Sequence, residues 1–385
     1  MSRWREVRFG SFVFLKRGYD LPLSQAEDGE FPVVASTDLR GTHTEYKVEG
    51  PVITLGRSGS IGHVQLINEN AWPLNTTLYV KDNKGNNIYF IYYFLKTIDF
   101  ERFNSGAGVP TLNRNHLNSL KIKIPDLETQ EKIADVLSTY DELIENNNRR
   151  IEILEKMAEE IYKEWFVRMR FPGHENTKFE KGIPEGWEVR KVGEIIDKLE
   201  SGKRPKNICE EEKMVVSLGA GDVKSLGEYS NSDEYLIPYS FFKGLNRGVV
   251  ESKDIAVYKD GAYTGKVTMF RDDFPYKEIA VNEHAFLVRC KDEKLQNYLL
   301  FTLKQKSYYE LIQALSMTSA QPGINQSKFK NIKIEIPNKE LINKFHDITE
   351  LHLRKIFNLA KQNKNLIKQQ DLLLPRLMNG TIEVK

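Results

Sequence analysis

The side chains able to do chemistry in this sequence are basic and hydrogen-bonding groups set on turns beside aromatics. In the first half of the chain they are Lys16, Arg17, Arg40, Thr42, His43, Arg57, Ser58, Ser60, His63 and Arg114. In the second half they are Lys203, Arg204, Lys206, Lys224, Lys243, Asn246, Arg247, Tyr263, Thr264 and Lys266. Arginine and lysine hold phosphates, arginine pairs with guanine, and asparagine reads adenine edges in the major groove. Any one of them alone is more often an ordinary solvated side chain; as a set they are the candidate DNA-binding residues.

No catalytic constellation accompanies them. Gly56-Arg57-Ser58-Gly59-Ser60-Ile61-Gly62 has the glycines of a phosphate loop, but His63-Val64-Gln65-Leu66-Ile67 behind it reads as a strand. A nucleotide loop hands its phosphate to a helix N-terminus, so a tight hairpin is expected here. Leu218-Gly219-Ala220-Gly221-Asp222 has only the Gly-x-Gly of a methyl-donor loop, and the chain lacks the Asn/Asp-Pro-Pro-Tyr/Phe tetrapeptide that methylates exocyclic amines. Glu251-Ser252-Lys253 resembles the end of a nuclease site, a tripeptide common by chance and read as a solvated turn. The seven histidines are scattered, with no His-Glu-x-x-His pair and no Gly-x-Ser-x-Gly elbow. We expect no catalytic residue, no metal site and no bound cofactor.

The elements that must position these groups follow from the whole chain. Its 385 residues suffice for about two domains. With 56 Lys+Arg against 54 Asp+Glu the net charge is only +2, so any DNA contact comes from local patches. Cys209 and Cys290 stand alone, which excludes a disulfide framework or a thiolate zinc site and points to a reducing compartment. The start lacks an apolar leader segment, and no stretch reaches the ~18 apolar residues of a membrane span. A soluble cytoplasmic protein without membrane contact is expected.

The chain repeats itself. Trp4-Arg5-Glu6-Val7-Arg8-Phe9-Gly10 returns as Trp187-Glu188-Val189-Arg190-Lys191-Val192-Gly193. Val109-Pro110-Thr111-Leu112-Asn113 through Leu120-Lys121-Ile122-Lys123-Ile124-Pro125 returns as Gln321-Pro322-Gly323-Ile324-Asn325 through Ile332-Lys333-Ile334-Glu335-Ile336-Pro337. Gly62-His63-Val64 matches Gly265-Lys266-Val267 more weakly, and Asn75 matches Asn282, while the middles otherwise diverge. Similar ends around unlike middles suggest one scaffold carrying two different recognition surfaces.

Each copy closes on a long helix. Ile133, Leu137, Tyr140, Ile144, Asn147, Ile151, Leu154, Ala158, Ile161 and Trp165 recur in steps of four and three, the period of a coiled-coil seam roughly 50 Å long. Phe345, Thr349, His352, Ile356, Leu359, Asn363, Leu366, Gln370, Leu373 and Leu377 form a noisier second seam. Lone helices of this kind are marginal in water, so each is expected to pair with the other, antiparallel. Residues 128–170 carry 7 basic and 11 acidic groups, about −4, and residues 340–385 carry 8 and 5, about +3, which biases the pairing. Asn147 and Asn363 lie in the seams, where a buried amide fixes register.

Strands are expected at 31–34, 52–55, 77–80 and 122–124, and again at 214–217, 255–258, 285–288 and 332–334, with helical interludes at 88–96 and 295–311. The fold class is α+β: two globular domains separated by two long helices in an antiparallel coiled coil, with an internal pseudo-twofold repeat. The expected divisions are a first domain at 1–127, a central helix at 128–170, a second domain at 171–339 and a C-terminal helix at 340–385.

The run Gly108-Val109-Pro110-Thr111-Leu112-Asn113, then Leu120 to Pro125, then Glu128-Thr129-Gln130-Glu131-Lys132-Ile133-Ala134-Asp135-Val136-Leu137, resembles the junction between a target-recognition domain and its conserved helix in specificity subunits of type I restriction-modification systems. The order of the two Trp openings, variable middles and seam helices extends that resemblance over the whole chain. It implies a non-catalytic DNA-reading subunit whose two target-recognition domains each bind half of a split, asymmetric double-stranded site. It also implies a helical ruler that docks two modification subunits methylating adenine, joined by motor-nuclease restriction subunits. S-adenosylmethionine, ATP and Mg would be held by those partners. One departure is plain: Gln130-Glu131 has become Ile342-Asn343, which suggests less regular docking by the second helix, and Gly106-Ala107-Gly108 has become Thr318-Ser319-Ala320, which suggests a different loop path. A stand-alone methyltransferase or nuclease, and a coiled-coil protein-binding scaffold, are the rival readings.

Overall fold

The computed structural model describes residues 4–22, 27–106, 108–229, 234–261, 263–317 and 323–384. Ala107 and the 318–322 segment, with Gln321 and Pro322 of the repeat, lie outside the described residues. The chain divides into two compact units, Met1–Ile144 with Asn365–Lys385, and Glu145–Lys364. The division falls inside both long helices, where the sequence placed boundaries at their ends.

In chain order the first unit contains β1 (Arg5–Arg8), α1 (Phe9–Phe12), β2 (Phe14–Arg17), β3 (Phe31–Val34), β4 (Leu39–His43), β5 (Val52–Gly56), β6 (Val64–Ile67), β7 (Trp72–Pro73), β8 (Thr77–Asp82), α2 (Ile88–Lys96), α3 (Arg114–Asn118), β9 (Lys121–Ile124) and the start of α4 (Leu127–Tyr162). Strands β1 and β9 pair antiparallel, Arg5 opposite Ile124 and Arg8 opposite Lys121. This ladder explains why the repeat is strongest at the two ends of each copy: those ends are neighbours in space and form the base of the unit. Lys121-Ile122-Lys123-Ile124 alternates exposed and buried residues, the pattern of a strand with one face on the core. The middle forms a sheet in the order β2-β8-β5-β6 and a smaller one, β4-β3-β7, with β3 and β7 parallel. Val52–Gly56 is buried throughout because β5 lies between two neighbours.

The second unit takes up the remainder of α4. After a π-type turn at Lys163–Val167 come a short ladder, β10 (Phe179–Glu180) with β11 (Ile183–Pro184), then β12 (Glu188–Lys191), α5 (Val192–Ile195), β13 (Ile196–Glu200), β14 (Met214–Leu218), β15 (Leu236–Pro238), α6 (Tyr239–Lys243), β16 (Ile255–Tyr258), β17 (Val267–Met269), β18 (Ile279–Val281), β19 (Ala285–Cys290), α7 (Glu293–Lys304), α8 (Lys306–Met317), α9 (Gln326–Lys330), β20 (Lys333–Ile336) and α10 (Lys339–Met378). Its sheets run β12-β20, β13-β19-β16-β17 and β15-β14-β18, with β14 and β18 parallel. The order and sense match those of the first unit, so the repeat persists through middles whose sequences have diverged.

The repeated residues have physical reasons. The Phe9 N–H donates to the Leu120 carbonyl and the Val192 N–H to the Ile332 carbonyl, both at 2.8 Å. A side chain on Gly193 would sit 2.9 Å from Cβ of Lys330, and one on Gly10 would sit 3.3 Å from Asn118, so glycine lets α5 and α1 approach α9 and α3. Asn113 and Asn325 cap α3 and α9, accepting from Asn115 N at 3.0 Å and Lys328 N at 2.9 Å, a bond worth about 1 kcal/mol. The expected single interlude at 295–311 is instead two helices, because Gln305 between them is extended (φ −65, ψ 142).

Both units contain paired stretches of α4 and α10. In the first, Ile133 and Leu137 share a core with Leu377 and Met378, and Gln370 Nε2 donates to Asp141 Oδ1 at 2.7 Å. In the second, Ile151 and Ala158 share a core with Ile356, Leu359 and Ala360, and Phe166 packs edge-on against Phe345. In each unit rising numbers on one helix meet falling numbers on the other, so the pairing is antiparallel. Tyr140, Ile144, Leu154, Leu366 and Leu373 are half-buried. The helices extend over 127–162 and 339–378, shorter at their C-terminal ends than the 128–170 and 340–385 read from sequence.

Asn147 Nδ2 donates to Asn363 Oδ1 at 2.8 Å, and Asn363 Nδ2 to Asn148 Oδ1 at 2.7 Å. Asn147→Leu should therefore cost about 1–2 kcal/mol by leaving a buried amide short of a partner, and Asn363→Leu added to it should recover most of that loss. Urea unfolding of both single variants and the double one checks this; additive losses would contradict the buried pair.

Gln130, of the Gln-Glu pair that the second copy lacks, has a structural place inside the first unit. It is buried, its Nε2 donating to Asn86 Oδ1 at 2.9 Å and to the Pro125 carbonyl at 3.0 Å, while its Oε1 accepts from Asn87 N at 3.0 Å. Asn87 in turn caps α2. Gln130 thus clasps the head of the first unit to α4. Its counterpart Ile342 is buried in the apolar core of the second unit, so the loss of the glutamine is a core change there. Gln130→Ala should cost about 2–3 kcal/mol by orphaning these groups; a loss in urea below about 1 kcal/mol would contradict the clasp.

Candidate nucleic-acid interface

In the first unit, β2 ends at Arg17, Arg57 follows β5, and Arg114 opens α3. The segment Pro110–Asn113 brings them together, because it is laid along the hairpin. Leu112 N donates to the Arg57 carbonyl at 2.9 Å, and Gly59 N donates to the Pro110 carbonyl at 3.1 Å. The result is a cleft of ≈ 370 Å³ whose wall includes Arg17, Arg57, Thr111, Asn113, Arg114 and Asn115. Arg17 lies 3.5 Å from Asp20. Arg57 reaches only the Asn75 carbonyl, at 3.5 Å, and Arg114 lies 5.9 Å over the Phe14 ring. Neither Arg57 nor Arg114 has a carboxylate partner among the described residues.

The glycine segment is a hairpin, as its sequence suggested: β5 and β6 pair antiparallel on either side of it. Ser58, however, bridges to Thr111 and is half-buried. Ser60 and His63 remain exposed, as do Arg40 and Thr42. Lys16 lies 5.3 Å over the Tyr19 ring. His43 is corrected: it is buried against Trp72, ring centroids 4.6 Å apart, and its Nδ1 accepts from Glu45 N at 2.9 Å. It braces the small sheet and does not face outward.

In the second unit Lys224, Tyr263, Lys266 and Lys304 border a cleft of ≈ 590 Å³. Lys266 lies 4.1 Å over the Tyr263 ring, Lys224 is 3.8 Å from Glu228, and Lys304 is held by Glu155 and Glu159. Elsewhere Lys203 sits 5.7 Å over Phe241, and Arg204 stacks 3.8 Å over Tyr235 while donating to the Ser217 carbonyl at 3.0 Å. Lys243 is 3.8 Å from Glu278, and Lys206, Asn246 and Arg247 are exposed. Thr264 is corrected: it is buried, its hydroxyl donating to the Gly261 carbonyl at 2.8 Å.

The catalytic look-alikes resolve into structure. Gly219-Ala220-Gly221-Asp222 is a turn in which Gly219 N donates to Asp222 Oδ2 at 2.7 Å, and burial pushes that carboxyl above its usual range against the pull of this bond and of Arg204. Around Ser252, Glu251 pairs with Arg289 at 2.7 Å and with Lys198 at 3.3 Å, while Lys253 pairs with Glu293 and lies 3.4 Å from Glu350. That turn is an ion-pair network more than a solvated loop. Cys290 is buried, its thiol pushed up to about 12 by burial, and Cys209 is exposed. Among the described residues no group of His, Cys, Asp or Glu could hold a metal ion, and no helix is long and apolar enough to cross a membrane. Sequence reasoning missed Thr111, Asn113 and Asn115 at the arginine cleft. Asn113 was visible as a repeated position, but its place beside Arg57 depends on strands far away in the chain.

Two units whose main sheets match in strand order and sense, each containing a stretch of the antiparallel helix pair and each presenting basic residues beside a cleft, repeat one scaffold along the chain. The chain belongs to the family described as the type I restriction modification DNA specificity domain, which matches residues 1–156 and 184–369. Among its relatives, the type I restriction enzyme MjaIX specificity subunit of Methanocaldococcus jannaschii is 31% identical over 322 residues, 77% of this chain and 69% of the relative. The MjaVIII specificity subunit of the same organism is 25% identical over 413 residues, 99% of this chain and 93% of the relative. The type I restriction-modification S subunit from M. genitalium shares the fold, with a TM-score of 0.62 at 19% identity, covering 98% of this chain and 96% of that one.

Proposed function

We propose that this chain supplies sequence specificity to a type I restriction-modification complex, reading a bipartite, asymmetric site in double-stranded DNA. The observation that carries the reading is the pair of units equal in topology and unequal in surface chemistry. The first gathers Arg17, Arg57 and Arg114 at one cleft, and the second sets Lys224, Lys304 and Lys266, the last over Tyr263, around another. Equal scaffolds with unequal surfaces suit two different half-sites, where a symmetric dimer suits a palindrome. The target-recognition domains are residues 1–127 and 171–339, and the segments 128–170 and 340–385, which carry α4 and α10, join them.

The chain does no chemistry on DNA itself. Two modification subunits dock on the helix pair and methylate adenine, and motor-nuclease subunits restrict unmodified DNA in the cytoplasm. The methyl donor, ATP and magnesium are theirs to hold. The 36 residues of α4 correspond to about 54 Å of helix, a length suited to a ruler between half-sites.

The test is reconstitution. With modification subunits and methyl donor, this chain should direct methylation to a split site, and by itself, with methyl donor or magnesium, it should leave DNA unchanged. Modification by the chain alone would favour an enzyme, and salt-independent binding by the complex would favour a protein-binding scaffold.

A further inference from the structure

The two units match in topology and differ in charge at one equivalent place. Ile324 N donates to the Lys259 carbonyl at 2.8 Å, the counterpart of the Leu112 bond to Arg57. Lys259 therefore stands where Arg57 stands, and Gln326 opens α9 where Arg114 opens α3. Lys259 lies 5.4 Å over the Phe286 ring, and Asp260 beside it is paired with His284 at 2.8 Å. The second unit thus has one lysine and a carboxylate at the position where the first has two arginines without carboxylate partners among the described residues.

The scaffold of the first unit uses Arg57 through its backbone, whose N–H donates to Thr76 and whose carbonyl accepts from Leu112. Its half-buried guanidinium makes one long hydrogen bond, to the Asn75 carbonyl at 3.5 Å, and Arg114 is exposed. Both border a concave cleft with Thr111 and Asn115 beside them. A concavity bordered by guanidinium groups fits a group that protrudes from its ligand, as a phosphate protrudes from a duplex, better than a base edge recessed in a groove.

Resting on the specificity reading above, we propose that this cleft is a backbone-phosphate clamp. It makes DNA engagement unequal, with the first unit carrying more of the salt-dependent, sequence-independent part of binding. Arg57 and Arg114 are positioning residues: they hold the duplex and leave the choice of bases to other side chains.

The test uses the full chain assembled with its modification subunits, a fluorescent library of short random-sequence duplexes, and a series of KCl concentrations. Arg57→Ala with Arg114→Ala should reduce the slope of log affinity against log salt by about 1, at roughly 0.9 for the one phosphate that the cleft grips. Affinity should fall about tenfold or more at fixed salt, with the enriched motif unchanged. Arg57→Lys with Arg114→Lys should restore most of the slope, a recovery that a merely structural role does not produce. An unchanged slope in the alanine variant, or an enriched motif relaxed at one base, overturns the clamp while the wild type still enriches a motif. A wild-type complex that enriches no motif overturns the specificity reading itself.

Discussion

Seven residues inserted into α4 after Arg150, with seven matching residues inserted into α10 before Ala360, should lengthen the spacer of the recognised site and leave its two half-sites unchanged. A heptad adds about 10.5 Å of helix and returns each helix to within about 20° of its starting phase, so the seams can pair as before. At 3.4 Å per base pair the added length corresponds to about three base pairs. Those base pairs also rotate one half-site about the duplex by more than a quarter of a turn, roughly 100°. The variant should therefore bind its new site more weakly than the parent binds its own. Inserting into one helix alone should instead set Asn147 against the wrong partner and destabilise the pair, because the amide then faces apolar side chains. Sequencing of methylated genomic DNA from cells carrying the double insertion checks the spacer; an unchanged spacer would show that helix length does not set the distance.

Arg271→Met should be among the most destabilising single changes in the second unit. Arg271 is 3% exposed, and its Nη1 and Nη2 donate to the two carboxylate oxygens of Glu350 on α10 at 2.9 and 2.5 Å, with its Nε donating to Asp272 at 3.0 Å. Removing the arginine leaves the half-buried Glu350 with Lys253 and Asn297 beside it but without its bidentate partner, at a cost of about 2–3 kcal/mol. Arg271→Met combined with Glu350→Leu should recover a large part of that cost, since an apolar pair carries no desolvation penalty. Urea unfolding of the three variants checks the prediction, and a single-variant loss under about 1 kcal/mol would contradict it.

The same pair predicts a pH dependence. Burial pushes the Glu350 carboxyl up, but the Arg271 bonds and charge, with Lys253, pull it down further, to about 2. A carboxylate depressed in the folded state stabilises it above the usual glutamate range and loses that contribution as pH falls toward 2. Between about pH 4.5 and 2, therefore, Glu350→Gln should lose stability less steeply than the wild type.

The scaffold was more legible in the sequence than its surface. The Trp4 and Trp187 openings and the Lys121–Ile124 and Lys333–Ile336 strands announced themselves because each pairs its own copy's opposite end, so both partners carry the pattern. The seam from Ile133 to Trp165 was legible because a helix writes its buried face at a fixed period. What stayed hidden depends on partners distant in the chain. Gln130 looks like any polar residue on a helix until Asn86 and Asn87 are brought against it. His43 reads as an exposed turn residue until Trp72 covers it. The arginine cleft draws on residues 17, 57 and 114, each unremarkable in its own stretch.

The most direct measurement is single-molecule sequencing of methylated genomic DNA from two strains. One carries the wild-type chain, and the other a chain whose Phe9–Leu120 segment is exchanged for the corresponding segment of another family member. One half of the methylated site should change while the other half is retained. Both halves changing together, or neither changing, would contradict the assignment of one half-site to each unit.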